Sequence, residues 1–200
     1  MRDGLPILGF ADQAAFQAWL TAQPETSPGL WLKLAKKSAK TAGLGKAEAI
    51  DAALCHGWID GQLAPLDDDY WLIRFTPRRS TSKWSANNRK RALELIDAGL
   101  MQAGGLAEVE RAKSDGRWNS AYAPQSKAEV PADLAAALAA NPAAERFFAG
   151  LTGVNGYAVL YRIADAKKPE TRAARIEKFV DMLATGETIY PKNKAGSLSR

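Results

Sequence analysis

Apolar residues recur at helical spacing over residues 11–22, where Phe16, Trp19 and Leu20 share one face and Asp12 suits the N-terminal cap. The segment Gln23–Gly29 interrupts the pattern with two prolines and a glycine. From there the period becomes two: Leu30, Leu32 and Leu34 lie on one side and Trp31 and Lys33 on the other, which predicts a strand. A second helix is expected over Lys46–His56, with Ala49, Ile50, Ala53 and Leu54 as its buried stripe and Gly57 in the left-handed position after its end. Trp58–Leu63 and Tyr70–Thr76 read as the strands of a hairpin around the acidic turn Ala64–Asp69, with Pro77 ending the second strand. Ser85 is placed to cap a helix over Ala86–Ala98 that turns Leu93 and Ile96 inward and stops at Gly99. A further helix is expected over Gln102–Lys113, closed by the Asp115–Gly116 turn.

The texture changes after Tyr122. Residues 123–133 (APQSKAEVPAD) read as a linker, and the chain beyond them is alanine-rich and free of strand patterns. Pro131 and Pro142 suit helix first turns, the latter behind an Asn141 cap. Ile176, Phe179, Val180 and Leu183 form the stripe of a final helix over Glu170–Thr185, and the polar tail from 191 onward is expected to fray. The expected architecture is α+β: a small antiparallel sheet with helices in residues 1–125, a helical part over 126–190 and a flexible tail over 191–200.

Bulk properties narrow the class. The chain has 200 residues, 46% hydrophobic and 24% charged, which is ordinary for a globular protein. Cys55 is the single cysteine, so an internal disulfide is ruled out and a reducing compartment fits. No run approaches the ~18 apolar residues of a membrane span. The short apolar stretch at the N-terminus, with Asp3 near its start, does not read as a signal peptide. A cytoplasmic protein without membrane insertion is expected.

The formal charge of +5 is mild, but its distribution is not. Between Tyr70 and Arg91 stand seven basic residues (Arg74, Arg78, Arg79, Lys83, Arg89, Lys90 and Arg91) and no acidic one. Such a run attracts anions. Its centre, Thr76–Ser85, falls between a strand end and a helix start, where backbone N–H groups favour negative charge. Arg78 and Arg79 offer forked donors and Lys83 a point charge, while Trp84 or Trp71 offers a stacking face and Asn88 shapes the site. Asp60 and Arg74 are read as a cross-strand pair, structural or orienting. The alternative for the whole run is a solvated loop whose arginines clamp acids elsewhere in the fold.

Other constellations read as structural. Cys55 and His56 are adjacent on a helix and point about 100° apart, so they make no nucleophile–base pair, and Cys55 reads as a small core residue. The single His supports neither a triad nor a multi-histidine metal site. Asp67–Asp68–Asp69 lacks the spacing and glycine of a calcium loop and reads as a solvated turn. The charges between Asp165 and Lys178 are expected to pair locally at i,i+3 and i,i+4. Trp19, Trp31, Trp58, Trp71 and Trp118 read as core aromatics, and Gly104–Gly105 follows no phosphate-loop pattern. No cofactor, metal or catalytic residue is assigned.

Four segments carry a resemblance: ALCHGWIDG (Ala53–Gly61), RFTPRRSTSKWSANN (Arg74–Asn88), DGRWNSAY (Asp115–Tyr122) and AKKPETRAARIEKFVDMLATG (Ala166–Gly186). In this order they resemble the YdeI/OmpD-associated family, whose members are labelled bacteriocin-protection proteins. The chain departs from it at His56, where an aromatic is expected, and at Arg162, where a Trp is expected. The resemblance implies an association with tolerance of antimicrobial peptides and with an outer-membrane porin, and it brings no catalytic residues. The Tyr70–Arg91 surface would repel cationic peptides, so protection through an anionic partner or regulator is expected rather than sequestration by that surface. The functional expectation is therefore a non-enzymatic, stress-associated binding protein with an anionic ligand or protein partner. A nucleic-acid binder and an enzyme acting on a small anionic compound, with Asp60 as acid/base, are the alternatives.

Overall fold

A computed structural model of the protein describes residues 1–39, 43–122, 128–151 and 153–190. The chain is α+β, with a mixed four-stranded sheet and, among the described residues, eight helices. It divides into two compact units, Met1–Tyr122 and Ala123–Arg200.

The first unit is built on β1 (Ile7–Leu8), β2 (Leu30–Ala35), β3 (Trp58–Pro65) and β4 (Tyr70–Pro77), in the sheet order β1-β2-β4-β3. The β3–β4 hairpin is antiparallel, with a bulge between Asp60 and Leu63. Asp67 shapes its turn: the side-chain oxygen accepts from the N–H groups of Asp69 and Tyr70 at 2.9 and 2.7 Å. The strand β1 (Ile7–Leu8), absent from the sequence reading, pairs parallel with β2. Its two apolar residues are too few for a periodic signal, although Pro6 and Gly9 bound them.

Alternation in the central strands separates two apolar layers. Leu30, Leu32, Leu34, Ile73, Phe75 and Trp58 face α1 (Gln13–Thr21) and α2 (Lys46–Cys55), and their burial is the main drive for this layer. Trp31 and Leu72 face the other way and pack with Leu5 and Ala64, beneath an Arg2 guanidinium 5.1 Å from the Trp31 ring. The helix starts follow their capping residues: Asp12 accepts from Ala15 N–H at 2.8 Å, and Ser85 from Asn88 N–H at 3.0 Å.

Helix α3 (Ala86–Asp97) buries Ala92 and Leu95, with Ile96 partly covered. Leu93, expected inside, is 44% exposed. The small Ala92 is the residue that lets α3 approach α2, so the stripe lies one position back from the larger side chain. Helix α4 (Ala103–Ser114) brings Gly105, Val109 and Ala112 into the same core. Trp84 and Trp118 close that core with ring centroids 4.8 Å apart, edge to face.

The joint between α2 and α4 is unusually close. A Cβ on Gly105 would lie 2.3 Å from the Cys55 carbonyl oxygen and 2.7 Å from that of Leu54. Gln102 N–H donates to the Cys55 carbonyl at 3.0 Å. Gly57, with φ +77°, turns the chain out of α2 while facing the Gly104 carbonyl. The pair Gly104–Gly105 therefore serves close packing.

The second unit holds α5 (Ala132–Ala139), α6 (Pro142–Ala149), α7 (Val154–Ala164) and α8 (Pro169–Ala184) around Leu134, Leu138, Val159, Ile163, Phe179 and Leu183. Asn141 caps α6 and Pro142 is its first residue. Helix α8 begins at Pro169, one residue before the expected start, because proline needs no partner for a first-turn N–H. Two of its charges, Arg172 and Arg175, reach partners outside the helix. Arg172 grips Asp133 with two bonds of 2.5 and 2.8 Å and donates to the Ile163 carbonyl. Arg175 donates to the Arg162 carbonyl and stands 3.9 Å from Asp165. Arg162 itself lies 5.4 Å from the Tyr190 ring, so a cation–π contact stands where an aromatic was expected. The expected tail over 191–200, and residues 123–127 of the expected linker, lie outside the described residues.

Gly105→Ala is expected to cost at least about 2 kcal/mol, since backbone rather than a flexible side chain blocks the methyl group. Gly43→Ala, whose Cβ would meet nothing closer than 3.9 Å, changes stability little. Denaturant midpoints of the two variants check this.

Candidate functional site

Strand β4 ends at Pro77, and the next residue turns inward. Arg78 N–H donates to the Gly57 carbonyl at 2.9 Å, and its side chain is buried, the residue being 5% exposed. The guanidinium sits 3.7 Å from the Trp84 ring centroid, so Trp84 carries Arg78 on its face and meets Trp118 in an edge-to-face pair. Nη1 donates to the Lys83 carbonyl at 3.3 Å, whereas Nε and Nη2 have no hydrogen-bond partner among the described residues and are shielded from solvent. Burial lowers the Arg78 pKa to about 10, against the opposing pull of Glu108 and Asp60. From the turn after α4, Arg117 donates to the Ser82 carbonyl at 2.7 Å. Two guanidiniums thus grip the loop 79–83 by its carbonyls.

Facing this arginine is a carboxylate in an apolar stripe. Glu108 lies on the α4 face of Gly105, Val109 and Ala112 and is 6% exposed. Its Oε1 pairs with Arg111 at 2.8 Å, and its Oε2 has no hydrogen-bond partner among the described residues. Burial raises the Glu108 pKa, with Arg111, Arg117 and Arg78 acting against that rise. Arg78, Glu108 and Arg111 line a cleft of about 420 Å³, together with His56, Thr21 and Glu25. Its volume falls in the range of small-molecule sites. His56 Nδ1 lies 2.9 Å from the Ala52 carbonyl, which only accepts, so that nitrogen carries a proton. Nε2 meets the Thr21 hydroxyl at 3.1 Å.

Of the residues expected to form the site, Arg78 alone lines this cleft. Asp60 stands opposite Phe75 in the hairpin register, and Arg74 stands opposite Trp31 in the β2–β4 pairing. Among the described residues no hydrogen bond or ion pair joins Asp60 to Arg74, and the charge that Asp60 influences is that of Arg78. Trp84 is 1% exposed, so its ring belongs to the core rather than to a stacking surface. Arg79 and Lys83 are exposed on the loop, and Asn88 gives its N–H to the Ser85 cap.

At the end of the basic run, Arg89 and Arg91 have partners within the fold. Arg91 holds Asp51 through two bonds of 2.7 Å and Glu94 through a third, and Arg89 donates to the Trp118 carbonyl. Cys55 is buried, and burial followed by the Asp51 charge raises its thiol pKa, so it is a core residue rather than a nucleophile.

Glu108, Arg111, Thr21 and Glu25 went unassigned in the sequence. One of them carried a readable signal: Glu108 is a charged residue at helical spacing within a stripe of Gly105, Val109 and Ala112. The others join the cleft only through tertiary approach. Among the described residues, no group of three or more His, Cys, Asp or Glu side chains could hold a metal ion, and no helix is long and apolar enough to cross a membrane.

Two family models match the chain. One, described as a domain of unknown function (DUF8412), covers residues 8–108, and the other, described as bacteriocin-protection, YdeI or OmpD-associated, covers residues 127–186. The Ala166–Gly186 segment lies in the second match, whereas Ala53–Gly61 and Arg74–Asn88 lie in the first. No curated protein and no solved structure matches the chain.

Glu108→Gln is expected to leave the protein at least as stable as the parent at neutral pH. A raised carboxyl pKa means that the folded state binds its proton more tightly than the unfolded state does. That contribution is present in full below the unfolded value and is lost as pH rises through the folded one. The parent should therefore gain on Glu108→Gln as pH falls, as read by urea midpoints across a pH series.

Proposed function

Since the chain belongs to the DUF8412 family and carries a bacteriocin-protection, YdeI or OmpD-associated region at residues 127–186, we propose that it is a non-enzymatic, cytoplasmic binding protein whose first unit takes a small anionic ligand. The observation that carries this reading is that a buried guanidinium, Arg78, is among the residues lining a small-molecule-sized cleft. A charged donor held this way gains most from a charged acceptor. Arg111 at the rim supplies a second guanidinium.

Binding is favoured over chemistry by the state of the polar groups around the cleft. Thr21 Oγ1 lies 2.9 Å from the Gln17 carbonyl of its own helix, and His56 is held at both ring nitrogens. The free thiol of Cys55 agrees with a reducing compartment. Tolerance of antimicrobial peptides, implied for the second unit by its family, then follows from occupancy of the first unit by a metabolite-sized ligand. In this role the protein acts as a stress-associated regulator of a protein partner rather than as a trap for peptides.

Nucleic acid is a weaker fit for the basic run, since Arg91, Arg89 and Arg78 already have partners within the fold or are buried. A phosphate-tracking surface would lose affinity steeply with salt.

The test is thermal-shift titration of the full chain with phosphate, sulfate and mono- and dicarboxylates at low and high salt. A ligand at ~100 times its Kd should add about 2.7 kcal/mol of stability. Arg111→Ala should weaken the effect about tenfold, which is about 1.4 kcal/mol, and Arg79→Ala should leave it unchanged. Equal loss with Arg79→Ala would move the site to the exposed loop, and no shift with any anion at low salt would overturn the reading.

A further inference from the structure

The second unit carries a groove between α5 and α8, with a volume of about 560 Å³. From α5 and its C-terminal cap it is lined by Asp133, Ala137 and Ala140, which share one helix face. From α8 its lining recurs on one face from Pro169 to Asp181. Those positions span about 18 Å of helix, a little over three turns. Ile176 and Val180 form the floor, each 8% exposed and each part of the core of this unit. The walls are low because Ala137, Ala140 and Ala173 are small, so a third helix can approach α5 and α8 closely.

The charge around the groove is one-sided. Arg172 grips Asp133 across the two helices with two bonds, and that pair is neutral. Further along α8 stand Glu177 and Asp181, both exposed and four residues apart. Like charges at this spacing repel each other. Asp181 also lies in the last turn of α8, at the negative end of the helix dipole, where no basic residue stands. Among the described residues neither carboxylate makes an ion pair, although Lys178 is three positions before Asp181. The apolar floor thus runs into a negative corner that the fold leaves uncompensated.

We propose that this groove docks a cationic amphipathic helix of a partner protein. Apolar side chains at i and i+3 or i+4 of that helix cover Ile176 and Val180, and a Lys or Arg at its edge meets Glu177 and Asp181. Burial over the floor supplies affinity, while the carboxylate pair steers basic helices in and selects against acidic ones. A second copy of the chain is a poorer occupant, since an isologous pair would bring two negative corners to one interface. No residue of the first unit's cleft takes part, so this docking stands whether or not an anion binds there.

Fluorescence anisotropy of the full chain with three labelled peptides of about 14 residues, slightly longer than the groove, tests this. One is an amphipathic Leu/Lys helix, one carries Glu in place of Lys, and one scrambles the Leu/Lys order so that no apolar face forms. The amphipathic Leu/Lys peptide is expected to bind about tenfold or more tightly than either of the others. Combining Glu177→Lys with Asp181→Lys should weaken its binding by a similar factor. Glu145→Lys, at an exposed position of α6 outside the groove, should leave it within about twofold. If the doubly reversed chain fails to fold by circular dichroism, Ala173→Gln, which lengthens an exposed wall residue, should still weaken binding measurably. Equal binding of the Leu/Glu peptide, or an equal loss with Glu145→Lys, would overturn the inference. Equal binding of the scrambled peptide would reduce the contact to charge alone and overturn it too. A dimer in sedimentation that Ala173→Gln dissociates would make a second copy the occupant, and binding of none of the peptides would leave the groove without its partner; either result overturns the inference. The anion titrations of the first unit are unaffected by all of these outcomes.

Discussion

The first unit depends on the contact between the end of α2 and the start of α4. Backbone meets backbone there, with the space for a Cβ at Gly105 already taken by the carbonyls of Cys55 and Leu54. The contact is also electrostatically favourable, since carbonyls at one helix C-terminus approach the N–H groups at another helix N-terminus. The cleft's lining from α2, β3, β4 and α4 leaves this joint. Gly57 turns the chain from α2 into β3, its carbonyl receives the Arg78 N–H, and Glu108 stands one helical turn beyond Gly104. A shift of the joint by the width of one methyl group would move the two buried charges relative to each other.

Arg78 answers to two sets of demands. It is part of a stack with Trp84 and Trp118, and its Nη1 ties down the loop that follows. This arrangement explains how a guanidinium stays inside a core: one face rests on an aromatic ring, one donor meets a carbonyl, and nearby carboxylates offset its charge. The same support leaves two donors with no partner among the described residues, both shielded from solvent.

The sheet and most helices were legible in the sequence because alternation, capping residues and breakers are local signals. Asp12, Ser85 and Asn141 cap where their side chains predicted, and Leu30, Leu32 and Leu34 face one layer. Apart from β1, which is too short for a periodic signal, the misreadings share one cause, which is that approach distance between elements is not written locally. Leu93 lost its place to Ala92 because helix–helix proximity favoured the smaller side chain, and Gly104–Gly105 had no purpose until α2 arrived. The basic run looked uncompensated because its partner Asp51 lies 40 residues away, as Asp133 does from Arg172 at 39. Of the candidate site, Arg78 was legible as a charge with a forked donor. Its burial, and its setting among the acids Glu108 and Glu25, arise only from the tertiary fold.

Cys55 carries a practical corollary of the α2–α4 joint. The chain has one sulfhydryl, and it is sealed in the core, with its own carbonyl against Gly105. A disulfide reagent added in solution must wait for that region to breathe before it can react, because the buried thiol is both hidden and reluctant to ionise. The rate of modification is therefore an intrinsic clock for opening of the joint. It needs no introduced label, and anything that braces the cleft from inside would slow it.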